Sequence, residues 1–266
     1  MSDAAASAGR VATRRDAYRD RTPAAVDIRS LSKRFTPSTP LVLDDITLTV
    51  EPGEFVCLLG ASGCGKSTLL NIIGGLDTPS AGAVVVPSGR PAVMFQEPAL
   101  FPWLSAARNV ELALKLARVP RDRRRPRALE LLDLVNLADA ADKRPHELSG
   151  GMRQRVALAR ALAQDRAVLL MDEPFAALDA ITRDLLHEEL ERVWQETGRT
   201  IVFVTHNVRE AVRLGQRVVL LSSRPGRVAA QWQVEVTGER RIESPDVSRL
   251  AIEITDQLRR EIRRAA

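Results

Sequence analysis

Gly60 to Ser67 reads GASGCGKS, and its spacing of two glycines, a lysine and a hydroxyl is that of a loop built to hold phosphate. Backbone amides of such a turn and the positive end of the helix behind it converge on an anion, while glycine permits the backbone angles and the close approach. In that arrangement Lys66 reaches the β- and γ-phosphates and the Ser67 hydroxyl ligates Mg²⁺. A second signal lies 106 residues beyond Lys66: four apolar residues run into Asp172-Glu173-Pro174. Two carboxylates are thereby placed at the C-terminal edge of a buried strand. Asp172 can hold a metal's hydration shell and Glu173 can polarise an attacking water, which is the pairing that phosphoryl transfer requires. A third signal, LSGGMRQR (Leu148 to Arg155), sets Ser149 before paired glycines and a helix, a second helix start suited to an anion. Two anion sites with one catalytic pair imply that each completes a different nucleotide site, which a dimer would supply.

These side chains need a frame. Val26 and Ile28, then Ile46, Leu48 and Val50, alternate with polar residues as half-buried strands do. EFVCLLG (Glu54 to Gly60), VLLMDE (Val168 to Glu173), TIVFVTH (Thr200 to His206) and RVVLLS (Arg217 to Ser222) are continuous apolar runs of strand length, separated by helical periodicities. Strands alternating with helices predict a mainly parallel sheet covered on both faces. The middle is helical: Ser105 can cap one segment, a Leu-rich stretch runs from Leu129 to Leu137, and RDRRRPR (Arg121 to Arg127) between them reads as a basic loop broken by Pro126. Helices are also expected after Gly151, around Leu186 to Val193 with Gly198 as terminator, and from Val208 to Gly215. After the Pro225-Gly226 turn, Trp232, Val234 and Val236 alternate as an antiparallel edge strand, and Val247, Ala251, Ile254 and Leu258 share one face of a last helix.

Read in order, these pieces resemble the ATP-binding cassette (ABC) ATPases over roughly Val26 to Val228. GASGCGKST looks like the family's Walker A loop, LSGGMRQR like its signature and VLLMDEP like its Walker B strand. Gln96 in MFQEP resembles the Q-loop glutamine, Ala177-Leu178-Asp179 the D-loop and His206 in VTHN the switch histidine. Phe35 resembles the aromatic residue that stacks on adenine. The resemblance implies an α/β fold: a P-loop NTPase (RecA-like) core with a small antiparallel β subdomain and a helical insert. It implies catalytic roles for Lys66, Gln96, Glu173 and His206, and metal roles for Ser67, Gln96 and Asp172. Nucleotide contacts would come from Phe35, from Gly60, Ala61, Ser62, Gly63, Cys64, Gly65, Lys66, Ser67 and Thr68, and from Ser149, Gly150, Gly151 and Asp179.

The expected cofactors are ATP and Mg²⁺. The expected partners are a second cassette in a sandwich homodimer, two transmembrane permease subunits and, indirectly, an extracytoplasmic solute-binding protein. In that dimer Ser149 and Gly151 would contact the partner's γ-phosphate. FQEPALFPWLSAARNVELAL (Phe95 to Leu114) and the SSRPGR turn resemble the ATPase subunits of nitrate, sulfonate and taurine importers. Three departures accompany the match: a segment between Asp77 and Met94 short by part of a hairpin, Asn207 where Asp is commoner, and an additional basic N-terminal tail.

The expected organisation is a disordered basic tail over 1–24, a cassette over 25–230 with its helical insert at about 98–163, and a strand-helix extension over 231–266. The sequence of 266 residues has a net charge of +5 and two cysteines, Cys57 and Cys64, too few for a disulfide framework and suited to a reducing compartment. Apolar runs fall far below the roughly 20 residues of a membrane span, and the N-terminus lacks an apolar export segment. Docking on the permease subunits that the resemblance implies makes the expected location peripheral, on the cytoplasmic face of the inner membrane. Surplus positive charge admits, as the alternative, a soluble ABC ATPase acting on nucleic acid or ribosomes, which would carry either two cassettes or a long coiled-coil insertion between Gln96 and the signature. With one cassette, 53 positions from Gln96 to Ser149 and no heptads, no nucleic acid is expected.

Overall fold

A computed structural model of the protein describes residues 23–235 and 244–265. The basic tail expected over 1–24 lies outside the described residues up to 22, as does Val236.

The apolar runs form the centre. Strands β3 (Phe55–Leu59), β6 (Val168–Asp172), β7 (Thr200–Val204) and β8 (Arg217–Leu221) join β5 (Ala92–Met94) in parallel, with β9 (Val228–Gln233) antiparallel on the edge, in the order β5-β6-β7-β3-β8-β9. The mainly parallel sheet expected of the run pattern is the observed one. Its strands are buried on both faces because side chains alternate: Phe55, Cys57 and Leu59 enter one core, Val56 and Leu58 the other. The first core lies under the helices α2 (Ala106–Leu116), α3 (Arg121–Leu134), α4 (Gly150–Leu162) and α5 (Ala180–Thr197) and under α6 (Val208–Leu214). The second lies between the sheet, α1 (Lys66–Ile73) and an antiparallel sheet of β1 (Val26–Lys33), β2 (Leu43–Val50) and β4 (Ala81–Val85), ordered β2-β1-β4. Among the described residues this sheet has three strands.

Local signals set the element ends. Ser105 caps α2 by accepting from Arg108 N, and Gly198, at φ 60°, ends α5 in the left-handed conformation that glycine adopts freely. Two expectations need correction. Arg121 to Arg127 is the first half of α3, not a loop, and Pro126 sits inside the helix. Pro126 forgoes one backbone bond near the helix start, and burial of Ala128, Leu131 and Leu132 against neighbouring helices outweighs that loss. The edge strand begins at Val228, upstream of the expected extension at 231. The last helix, α7 (Pro245–Ala265), packs against α6 and buries Val247, Ala251 and Ile254, while Trp232 of β9 donates from Nε1 to Glu253 at 2.8 Å.

Phe203 lies in the first core. It is fully buried and stacks at tilted angles on Phe55 (6.0 Å) and Phe175 (5.9 Å), so it joins the sheet to the segment after Asp172. Phe203→Ala is expected to destabilise the fold by about 3–5 kcal/mol, read as a lowered urea midpoint; a loss below about 1 kcal/mol would contradict this packing role.

Candidate active site

In a parallel sheet, ligand sites form where strands end and helices begin. Here β3 ends at Leu59 and runs into the Gly60–Gly65 loop, β6 ends at Asp172, β7 is followed by Thr205-His206, and β5 is followed by Phe95-Gln96. Topology alone therefore gathers the residues singled out by their chemistry at one edge of the sheet.

The loop leads directly into α1, whose first residue is Lys66 and whose N-cap is Gly65 at φ 103°. A Cβ there would lie 2.7 Å from Leu43 Cδ2, so the position requires glycine for space as well as for conformation. Lys66 is buried, and its Nζ donates to the carbonyls of Gly60 (2.9 Å) and Ala61 (3.1 Å), which holds the amine in the mouth of the loop. Cys64 turns inward into the core, and burial pushes its thiol pKa up despite the nearby Lys66 charge. An open cavity of about 1110 Å³ is lined by Phe35, Ser62, Gly63, Gly65, Lys66, Ser67, Thr68 and Glu173, together with Arg34 and Arg224. Phe35 lies beyond the end of β1, is 62% exposed and has the Lys33 ammonium 5.3 Å from its ring centre, so it is an available aromatic face on this cavity and not a core residue.

Ser67 Oγ donates to Asp172 Oδ1 at 3.1 Å. Burial raises the Asp172 carboxyl pKa and the adjacent Glu173 charge adds to this, while the Ser67 bond and Lys66 oppose them. A half-buried carboxylate beside an exposed hydroxyl is a fitting donor pair for Mg²⁺, which keeps several waters and takes its remaining ligands from phosphate. Glu173 has φ 43°, a left-handed conformation uncommon outside glycine, and its N–H donates to Val204 O at 3.0 Å. That bond continues the β6–β7 ladder, and the Glu173 carboxylate meets His206, with Nδ1 to Oε2 at 2.8 Å. Asn207 acts as the N-cap of α6, its Oδ1 accepting from Arg209 N (3.0 Å) and Glu210 N (3.3 Å), so asparagine serves here as aspartate could.

Ser149, Gly150 and Gly151 do not reach this cavity. Ser149 is the N-cap of α4 and accepts from Met152 N at 3.2 Å, while a Cβ on Gly151 would stand 2.5 Å from Thr182 Cγ2 on α5. Asp179 likewise caps α5 by accepting from Thr182 N at 3.0 Å, which lowers its carboxyl pKa. The signature helix is nevertheless tied to the Q-loop segment, because Gln154 Nε2 donates to Gln96 O at 2.9 Å; the Gln96 side chain itself is exposed. Arg34 and Arg224 on the cavity wall were not among the residues singled out. Arg34 precedes Phe35 and could have been found by adjacency, whereas Arg224 is remote in sequence.

A family profile described as ABC transporter matches residues 43–176. The chain belongs to this family. Among its relatives, the aliphatic sulfonates import ATP-binding protein SsuB 1 of Mesorhizobium japonicum is 46% identical over 88% of this chain and 88% of its own. The nitrate import ATP-binding protein NrtD of Synechocystis is 46% identical over 75% of this chain and 77% of its own. Among solved structures, a dimeric ATP-binding cassette in a post-hydrolysis state with ADP and Pi superposes with TM-score 0.69 at 34% identity, covering 79% of this chain and 99% of that one. The ABC cassette fold, a P-loop NTPase α/β architecture, is thus the fold of this chain, and its class is that of ATPases coupled to transport. Among the described residues, no helix is long and apolar enough to cross a membrane.

Proposed function

We propose that the chain is the ATP-hydrolysing subunit of an ABC importer for a small anionic solute of the nitrate, sulfonate or taurine kind. The observation that carries this reading is the convergence of Lys66, Ser67, Asp172, Glu173 and His206 at one sheet edge, while Ser149 to Gly151 stand apart. The loop amides and Lys66 bind the phosphates, and Phe35 stacks on the base. Ser67, Asp172 and Gln96 would hold Mg²⁺, which when bound would supply neutralisation of phosphate charge. Glu173 takes the proton of the attacking water, and His206 fixes the Glu173 carboxylate and senses the terminal phosphate. A second copy supplies its signature helix to this cavity and receives ours in return.

Membrane subunits would dock at a second cavity of about 370 Å³ between the Q-loop segment and α2, lined by Phe95, Phe101, Leu116 and Arg160. Exposure of Phe95 (45%), Trp103 (67%) and Leu116 (77%) around it supports a protein partner. Such docking would place the chain at the cytoplasmic face of the membrane. A soluble ATPase acting on nucleic acid is not favoured, since the import proteins named above cover most of the chain.

The testing experiment is phosphate release by purified protein. ATP turnover is expected with Mg²⁺ and to fall by at least about 100-fold when the metal is chelated; turnover indifferent to chelation would remove Ser67 and Asp172 from the reaction.

A further inference from the structure

The turn from Ser222 to Arg227, between β8 and β9, has no part in the chemistry described above. It is nonetheless a rigid piece. Ser222 Oγ donates to Pro225 O and accepts from Arg227 N, each at 2.9 Å, and Ser222 N donates to Arg227 O at 2.9 Å. The turn is fastened to the start of β2: Gly226 N donates to Val42 O, Asp44 N donates to Gly226 O, both at 2.9 Å, and Arg227 pairs with Asp44. A Cβ on Gly226 would stand 2.3 Å from Cys64 O, so the backbone of the turn lies directly on the phosphate loop.

From this anchored base Arg224 reaches across 161 positions of sequence and donates from Nε to Gly63 O at 3.1 Å. Its Nη2 lies 2.9 Å from where a Gly63 Cβ would be, and Gly63 is at φ 74°. The other end of the same peptide is held as well, since Cys64 N donates to Ala61 O at 3.3 Å. Both polar groups of the Gly63–Cys64 peptide are therefore fixed in a loop that its glycines would otherwise leave free to rotate. Arg224 also lines the nucleotide cavity. Arg227 in the same turn is paired with Asp44, but no carboxylate pairs with Arg224 among the described residues, so its charge stays available to an anion.

We propose that Arg224 is a positioning residue of the nucleotide site: it preorganises the phosphate loop through Gly63 and adds positive potential on the wall that receives the polyphosphate. Holding a loop in its bound shape reduces the ordering that binding would otherwise require, and a charge-assisted bond to a carbonyl is the stronger kind of hydrogen bond. This inference rests on the nucleotide reading of the cavity.

The test compares Arg224→Ala, Arg224→Lys and Lys66→Ala with the parent chain, using ATP, ADP and adenosine as probes. Arg224→Ala is expected to weaken ATP and ADP binding by about 10-fold, to raise KM correspondingly, and to change kcat at saturating ATP and adenosine affinity by less than about twofold. Arg224→Lys, which keeps charge but loses the Nε donor, is expected between the two. An Arg224→Ala chain that binds ATP within about twofold of the parent, or that loses adenosine as strongly as ATP, overturns the proposal. Should the alanine variant fail to fold, parent-like ATP binding by Arg224→Lys overturns the Gly63 contact as the cause. Loss of ATP binding in Lys66→Ala without loss in Arg224→Ala rejects the role of Arg224 alone; retained binding in Lys66→Ala rejects the nucleotide reading, and this inference with it.

Discussion

Glu173→Gln lowers steady-state ATP turnover by about 10²- to 10⁴-fold while leaving ATP bound, the range a positioned general base contributes. Glutamine preserves the size of the side chain and can still meet His206 Nδ1, at 2.8 Å from Oε2 in the native chain, but it cannot accept the proton of the attacking water. The phosphate loop and Lys66 are untouched, so affinity for ATP is retained. Because hydrolysis would normally release the closed dimer, the variant is expected to elute as a dimer in ATP and as a monomer without it. Phosphate release gives the first quantity, fluorescence titration the second and size-exclusion chromatography the third. Turnover within tenfold of the parent would displace Glu173 as the base and leave its left-handed backbone, φ 43°, without a catalytic explanation.

Two inactive variants regain activity when mixed. Ser149→Arg places a bulky cation at the N-cap of α4, where the native hydroxyl accepts from Met152 N, and leaves the Lys66 cavity of its own chain intact. Lys66→Ala does the reverse. Each homodimer then has two damaged sites. In a random mixture half of the dimers are heterodimers with one intact and one doubly damaged site, so activity on the order of a quarter of the parent's per cassette is expected from symmetry. The result depends on an observation of the single chain, that Ser149, Gly150 and Gly151 do not line the cavity around Lys66. A mixture no more active than its separate components would mean that each site is completed within one chain.

The fold was legible in the sequence where its causes are local. Continuous apolar runs such as Phe55–Leu59 and Thr200–Val204, alternating with helices, point to strands buried on both faces of a covered parallel sheet, and the cassette architecture agrees with that reading. Caps at Ser105 and Gly198 follow from the side chain or backbone of one residue. The basic segment Arg121–Arg127 looks like a loop because its composition describes its solvent face, whereas Ala128, Leu131 and Leu132, further along the same helix, decide its conformation by packing.

The candidate site divides in the same way. Residue type and spacing named Lys66, Ser67, Asp172 and Glu173, since phosphate, metal and proton each demand particular donors and acceptors, and the family resemblance added His206. The tertiary structure decided which of them face one another, that Phe35 stands exposed on the cavity, and that Asp179 spends its side chain on capping its own helix, as the sequence already placed Ser149 to do. It alone brought Arg224 to Gly63, because a contact spanning 161 positions depends on how the sheet orders its strands and leaves no periodicity or local pattern to read.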